Sequence, residues 1–322
     1  MTKNHPYGPN DRVFLTSIVA FFTLNLGPLP ILKGDEPAVF LMHDELIESS
    51  GVGVSPSSGV IWSHNDSGDQ PRLFAFSAAG QPLATFTSTS IKAIDWEDLC
   101  CFRRADKSFI AVGDVGDNLG RRKEVLIQVY EEPQLDRLTD RRSDASRSPK
   151  IPKKKIEPIC TLTVSYPTGP VNCEALAYDP RRDAFLLATK ELLRCRLFEV
   201  PLTSSPKAQS VPDAKLPALP RRAPRSAVAR QTLTLPLVTG ADINPRGNRL
   251  AICTYGAGTL LSRPEHSEGW SHPDGLEHAA FELPSRKQGE SICFTPNGKK
   301  LYLTSEFAPC PLFQITTPTL AD

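Results

Sequence analysis

Acidic side chains recur at two matched sets of positions along this 322-residue chain. One set reads Ser50, Glu97, Glu174, Thr239 and Glu290; the other reads Asp66, Asp114, Glu191, Tyr255 and Glu306. The intervals are 47, 77, 65 and 51 residues in the first set and 48, 77, 64 and 51 in the second. Registers that agree to within one residue describe a single repeat, with a carboxylate at seven of its ten marked positions. Brought to one place, such groups repel by about 4 kcal/mol per pair at about 4 Å and an effective dielectric of about 20. They must hold protons or share a cation.

The donors are all oxygens, which suits Ca2+, a hard cation taking about six to eight oxygen ligands, better than zinc. The expected metal set is Asp66, Glu97, Asp114, Asp117, Asn118, Glu174, Glu191, Glu290 and Glu306. Two loops stand out, His64-Asn-Asp-Ser-Gly-Asp69 and Gly113-Asp-Val-Gly-Asp-Asn118. Their glycines allow tight turns that direct several oxygens to one point. His64, with Asp66 and Asp114, forms the candidate catalytic group, the imidazole serving as general base beside the ion. The competing readings are Asx turns facing water and a site for a cationic ligand. Lys190 is the one cation at an equivalent position. Nucleophilic catalysis lacks a Gly-x-Ser-x-Gly elbow, and no Cys-x-x-Cys supports a zinc ribbon.

The repeat itself states what must position these acids. Each copy holds an apolar stretch, a turn and a second apolar stretch, as in Glu174-Ala-Leu-Ala-Tyr-Asp-Pro180 followed by Ala184 to Glu191. A third short strand follows, such as Arg196-Leu-Phe-Glu-Val200, and in most copies a fourth, such as Cys160-Thr-Leu-Thr-Val164. Thirty prolines and twenty glycines oppose long helices. Four short strands per copy match a propeller blade. The expected fold is all-β, a single β-propeller over residues 35–318 with five four-stranded blades; six blades is the alternative if a long interval hides a degenerate copy. The last copy stops after its third strand, and Ala38-Val-Phe-Leu-Met42 is placed to supply the fourth and close the ring.

The near-even balance of 37 basic and 36 acidic residues excludes a uniformly basic nucleic-acid binder. It is a sum of opposites. Two basic, low-complexity inserts, 136–158 and 203–230, hold fourteen basic and five acidic residues, leaving 23 basic and 31 acidic elsewhere. They read as exposed insertions, with contact to a polyanionic ligand as the sharper alternative; no specific nucleic-acid motif accompanies them. Residues 1–34 combine Lys3 and Arg12 with an apolar run from Val13 to Leu26, which predicts a signal-like segment and an extracytoplasmic (periplasmic or secreted) protein. An uncleaved anchor and a buried segment are the alternatives, and no second stretch is long enough to span a membrane. The propeller is expected to be a monomer. Eight cysteines permit disulfides without pairing them.

At His64-Asn-Asp-Ser-Gly, Asp95-Trp-Glu-Asp98, Gly113-Asp-Val-Gly-Asp-Asn118, Asn172-Cys-Glu-Ala175 and Gln288-Gly-Glu-Ser291 the chain resembles a group of exported bacterial β-propellers. That group is similar to phytase-like (esterase-like) propellers and, more distantly, to calcium-dependent lactonase propellers. The resemblance implies calcium and ester or phosphoester hydrolysis at an acidic channel mouth. The alternative function is a non-catalytic propeller whose mouth binds a small molecule or a partner.

Overall fold

In a computed structural model the described residues are 36–135, 150–204, 216–265, 267, 269–271 and 276–319. They contain twenty-two strands and no helix, so none is long and apolar enough to cross a membrane. The signal-like segment and residues 136–149 and 205–215 of the two inserts lie outside them.

The chain forms a five-bladed β-propeller of four-stranded blades. A short strand, β1 (Val39–Leu41), comes first. Blade 1 then holds β2 (Ser49–Val54), β3 (Ile61–Asn65), β4 (Arg72–Phe76) and β5 (Pro82–Thr87). Blade 2 holds β6 (Trp96–Arg104), β7 (Lys107–Asp114), β8 (Val125–Glu131) and, after the intervening β9 (Lys153–Lys155), β10 (Cys160–Ser165). In blade 3, β11 (Cys173–Asp179), β12 (Ala184–Thr189) and β13 (Cys195–Pro201) are joined past β14 (Arg222–Ser226) by β15 (Val228–Leu233). Blade 4 comprises β16 (Val238–Ile243), β17 (Arg249–Thr254), β18 (Gly258–Ser262) and β19 (Glu277–Phe281). Blade 5 adds β20 (Gly289–Phe294), β21 (Lys300–Ser305) and β22 (Cys310–Thr316). Its fourth strand is β1, antiparallel to β22 with Val39 opposite Leu312 and Leu41 opposite Cys310. The ring is thus closed by the strand Val39–Leu41, and the described residues form five blades with no sixth among them.

Burial follows radial position. The innermost strands β2, β11 and β20 are buried at every residue, because neighbouring blades cover both faces. The outer strand β10 alternates buried and partly exposed, the period-two pattern of a strand with one dry face. Phe102, Phe109, Tyr178 and Phe185 pack between blades 2 and 3; Trp62 and Trp96 are likewise core. At the end of the ring opposite the acidic loops, ion pairs tie blade to blade: Arg104 to Asp183 at 2.8 Å and Arg263 to Asp179 at 2.7 Å.

One irregularity recurs in every blade. The pairing of each inner strand with its neighbour slips at the repeat's first position: Ser50, Glu97, Glu174 and Thr239 are skipped in the register, and in blade 5 the slip spans Glu290 and Ser291. A bulge leaves its extra residue outside the ladder and re-aims its side chain. Deeper in the channel, carboxylates tie inner strands together. Asp98 accepts from its own neighbour Leu99 N (2.8 Å) and from Leu176 N of blade 3 (3.0 Å), and Asp242 accepts from Phe294 N of blade 5 (2.7 Å). Every blade helps to line a cavity of about 90 Å³ at the far end, Val54, Cys101, Tyr178, Ile243 and Phe294 among its walls.

The inserts are partly ordered, contrary to a reading as wholly irregular loops. Lys153–Lys155 pairs parallel with β5, and Arg222–Ser226 pairs parallel with β10, each adding a fifth strand at a blade's outer edge. Lysine and proline at an edge discourage further pairing, which gives this basic composition a structural use. All eight cysteines are free thiols.

Candidate cation centre at the channel mouth

The bulges bring Glu97, Glu174 and Glu290 to the mouth from blades 2, 3 and 5. All three are buried to about 95%. Glu97 meets Glu174 side chain to side chain. The β3–β4 loop adds Asp66, and the residue before β6 adds Asp95. One oxygen from each of Asp66, Asp95 and Glu97 lies within 4.8 Å of the others, a spacing suited to a single hard cation. Gly116 makes the convergence possible: a Cβ there would collide with the carboxylate oxygens of both Glu97 and Asp95.

Proton affinities report the crowding. Burial, followed by the charges of Glu174, Asp66 and Asp95, pushes Glu97 well above the usual carboxyl range. Burial and then Asp66 raise Asp95 to about 6, and Asp66 is raised mainly by burial. Glu290 is lifted to about 8, by burial against the opposing pull of Lys190, and Glu306 to about 7, by burial and then by Asp66. The cost of ionising these groups together is what a bound cation would remove.

One cation belongs to the protein itself. Lys190 Nζ lies 3.2 Å from Glu174 and 5.3 Å from the centre of the Tyr255 ring. Although burial opposes its charge, Glu174, Tyr255 and Glu290 raise its proton affinity, so the ammonium persists. Asn172 donates to Glu174 (2.9 Å) and to Asn118 Oδ1 (3.1 Å), fixing the blade 3 side.

The expected ligands divide into two groups. Asp66, Glu97 and Glu174 converge; Glu290 and Glu306 stand with them through the charges of Glu174 and Asp66. Asp114, by contrast, is completely buried and engaged by Ile94 N and Asp95 N (both 3.1 Å) and by Arg122 (2.8 Å). Its role is to hold Asp95 in place. Asp117 accepts from Arg121 N and Arg122 N (both 2.8 Å). Glu191 is taken by Arg194, Arg196 and Thr189, whose hydrogen bonds outweigh its burial and hold it near 2. Asp114 and Glu191 follow the second strand of their blades, where Arg122, Arg194 and Arg196 reach them, whereas Asp66 at the same repeat position meets no such cation.

His64 lies sealed within the protein. It is fully buried, edge-on to Trp96 with ring centres 5.4 Å apart, with Nδ1 2.8 Å from Asn65 O, and burial lowers it to about 4. A Cβ on Gly51 would strike its ring, so glycine makes the room it occupies. A ring sealed in this way cannot serve water at the mouth as general base. Asp95, absent from the expected ligand set, is the addition; its signal was the Asp95-Trp-Glu motif, with two acids flanking a core tryptophan.

No family model matches this chain, and no curated protein matches it in sequence. Membership of the phytase-like group is therefore not shown. Similar solved structures include a gluconolactonase from Xanthomonas campestris, at 11% identity and TM-score 0.39, covering 84% of this chain and 72% of that one. Another is the PQQ-bound aldose sugar dehydrogenase of Streptomyces coelicolor, at 10% identity and TM-score 0.42, covering 89% of this chain and 99% of that one. Likenesses this distant carry no argument about the site.

Proposed function

We propose that the channel mouth holds a divalent cation, Ca2+ by the chemistry of its donors, and that the protein hydrolyses an ester or phosphoester there. The observation that carries this reading is the approach of Asp66, Asp95 and Glu97 to within 4.8 Å of one another. These three would hold the ion, with Glu174 beside them. A bound Ca2+ supplies Lewis acidity to a substrate oxygen and acidifies water. The chain's own groups do the rest. Lys190 places a positive charge where an anionic group would build up. Glu290, kept protonated near neutrality by burial, is a proton donor on the same side.

Calorimetric titration with Ca2+ tests the site, and an esterase and phosphatase screen tests the chemistry. Heat of binding that vanishes in Glu97→Gln, together with turnover lost in the same variant, is the expected result; no binding by the folded protein overturns the reading. A non-catalytic mouth is favoured by one observation, the burial of His64, which leaves no imidazole to act as base there. Binding without turnover in the screen is the outcome that selects it.

A further inference from the structure

The cavity at the far end of the ring serves neither cation binding nor hydrolysis, and the repeat builds it. Four residues past the repeat's first position each blade supplies a wall residue, and six past it a rim residue. The rim is Pro56, Pro180, Pro245 and Pro296 in four blades and Arg103 in blade 2. At about 90 Å³ the cavity holds about four non-hydrogen atoms, on a scale where about 150 Å³ holds benzene.

One lining group breaks the pattern. Three residues past the first position the other blades carry Gly53, Cys100, Ala177 and Cys293, all small and buried, whereas blade 4 carries Asp242. The fold accepts a small apolar residue there, so the carboxylate answers another need. Ile243 N donates to its Oδ1 (2.8 Å) and Phe294 N to its Oδ2 (2.7 Å), and each oxygen keeps a second lone pair. Asp242 is partly accessible, lines the cavity and forms no ion pair among the described residues. Asp98 and the thiols of Cys100, Cys101 and Cys293 feel its charge and supply no cation to it. Asn244 is spent: its Oδ1 accepts from Asn248 N and Arg249 N (both 3.0 Å), and its Nδ2 donates to Asn248 (2.9 Å). The Tyr178 hydroxyl donates to Asp183 (2.8 Å). One free carboxylate among apolar walls lacks the six or so oxygens a metal needs and suits an ammonium group, a donor of three N–H bonds.

The surroundings of the opening have the opposite sign. In and beside the turns that join first to second strands, Arg103, Arg246, Lys299 and Lys300 are exposed against one exposed acid, Asp106, apart from the Lys107–Glu131 pair. Arg103 gives its Nε to Ala105 O (3.3 Å) and has its remaining N–H groups at the rim. A negative floor beneath a positive rim favours a dipolar ligand over a plain cation or a plain anion. We infer that the far cavity binds a short ω-amino acid, its ammonium on Asp242 and its carboxylate at the Arg103 rim. An amine nitrogen and three methylenes fill the space for about four atoms and leave the carboxylate at the opening.

Methyl NMR of the full chain with 4-aminobutanoate tests this, at about pH 8 so that Asp242, near 7, is ionised. The probe should shift the Val54 and Ile243 methyl signals with a Kd in about the millimolar range. Butanoate, which lacks the ammonium, and propylammonium, which lacks the carboxylate, should each bind about tenfold more weakly. Arg103→Ala, a change at an exposed side chain, should reduce 4-aminobutanoate to the level of propylammonium, and Asp242→Asn should reduce it to the level of butanoate. Where Asp242→Asn fails to fold, the two truncated probes decide the matter on the unaltered protein. Methyl signals of Val54 and Ile243 that do not move, shifts confined to the acidic mouth, or a truncated probe that binds as well as 4-aminobutanoate overturn the proposal. Calorimetry with Ca2+ reads the mouth separately, so either reading can fail while the other stands.

Discussion

Glu97 and Glu174 occupy the same bulged position in adjacent blades, and their carboxyl groups meet at the channel mouth. A strand pair in perfect register would send them into the ladder between blades. The slip instead puts both at the axis, where Asp66 and Asp95 close on Glu97 and Lys190 closes on Glu174. The mouth therefore has an acidic half and a half already neutralised by the protein.

Gly116→Ala should abolish Ca2+ binding with little loss of stability. The added methyl occupies the space in which the Glu97 and Asp95 carboxylates converge, and it meets the ends of those side chains rather than backbone. Calorimetry and thermal unfolding of the variant check the two halves of the statement, and retained Ca2+ binding would contradict it.

Affinity for Ca2+ should rise with pH. Asp95 titrates at about 6, and Glu97 sits well above the ordinary carboxyl range, so below neutrality protons compete with the ion, by about tenfold per pH unit for each proton displaced. Without the ion the sign reverses. Carboxyls with raised folded-state proton affinity stabilise the fold at low pH, and that contribution is lost as pH climbs from about 4 through the folded values of Asp95, Glu306 and Glu290. Ca2+ should therefore raise Tm more at about pH 8 than at about pH 5.

Asp114→Ala should cost on the order of 3 kcal/mol, the usual consequence of removing one partner from a buried ion pair. It strips Arg122 of its carboxylate and frees the amides of Ile94 and Asp95. Ca2+ affinity should fall as well, since Asp95 loses its anchor. Denaturant titration measures the first effect; a variant as stable as the parent would refute the positioning role.

Asp242 gives a clean test of linkage far from the mouth. Burial, opposed by the amides of Phe294 and Ile243, raises it to about 7. The folded state keeps a proton that the unfolded chain releases near 4, so this residue's contribution to stability declines between about pH 4 and 7 by about 1.4 kcal/mol per pH unit at most. In Asp242→Asn that component of the slope should disappear, which urea unfolding across the range would reveal.

Residue spacing led to the propeller and favoured five blades, and the structure decided five against six. Paired registers at 50, 97, 174, 239 and 290 and at 66, 114, 191, 255 and 306 marked five blades, and an apolar Ala38–Met42 with no partner of its own announced the closing strand. Local pattern suffices because each blade is built from neighbours in sequence. Part of the acidic cluster was equally legible: Asp66, Glu97 and Glu174 were marked by position and do converge. Asp114 and Glu191 carried the same mark, and Asp117 stood in the Gly113–Asn118 loop, but all three were claimed by amides or arginines. His64 looked free and proved sealed.

The difference has one physical cause. Strand order and periodicity fix which residues reach the mouth end of each blade, and the sequence determines these by itself. Which of them points at the axis depends on a one-residue slip in pairing, on the room left by Gly116 and Gly51, and on cations arriving from other loops. Those are relations between residues tens of positions apart, and only the closed ring decides them.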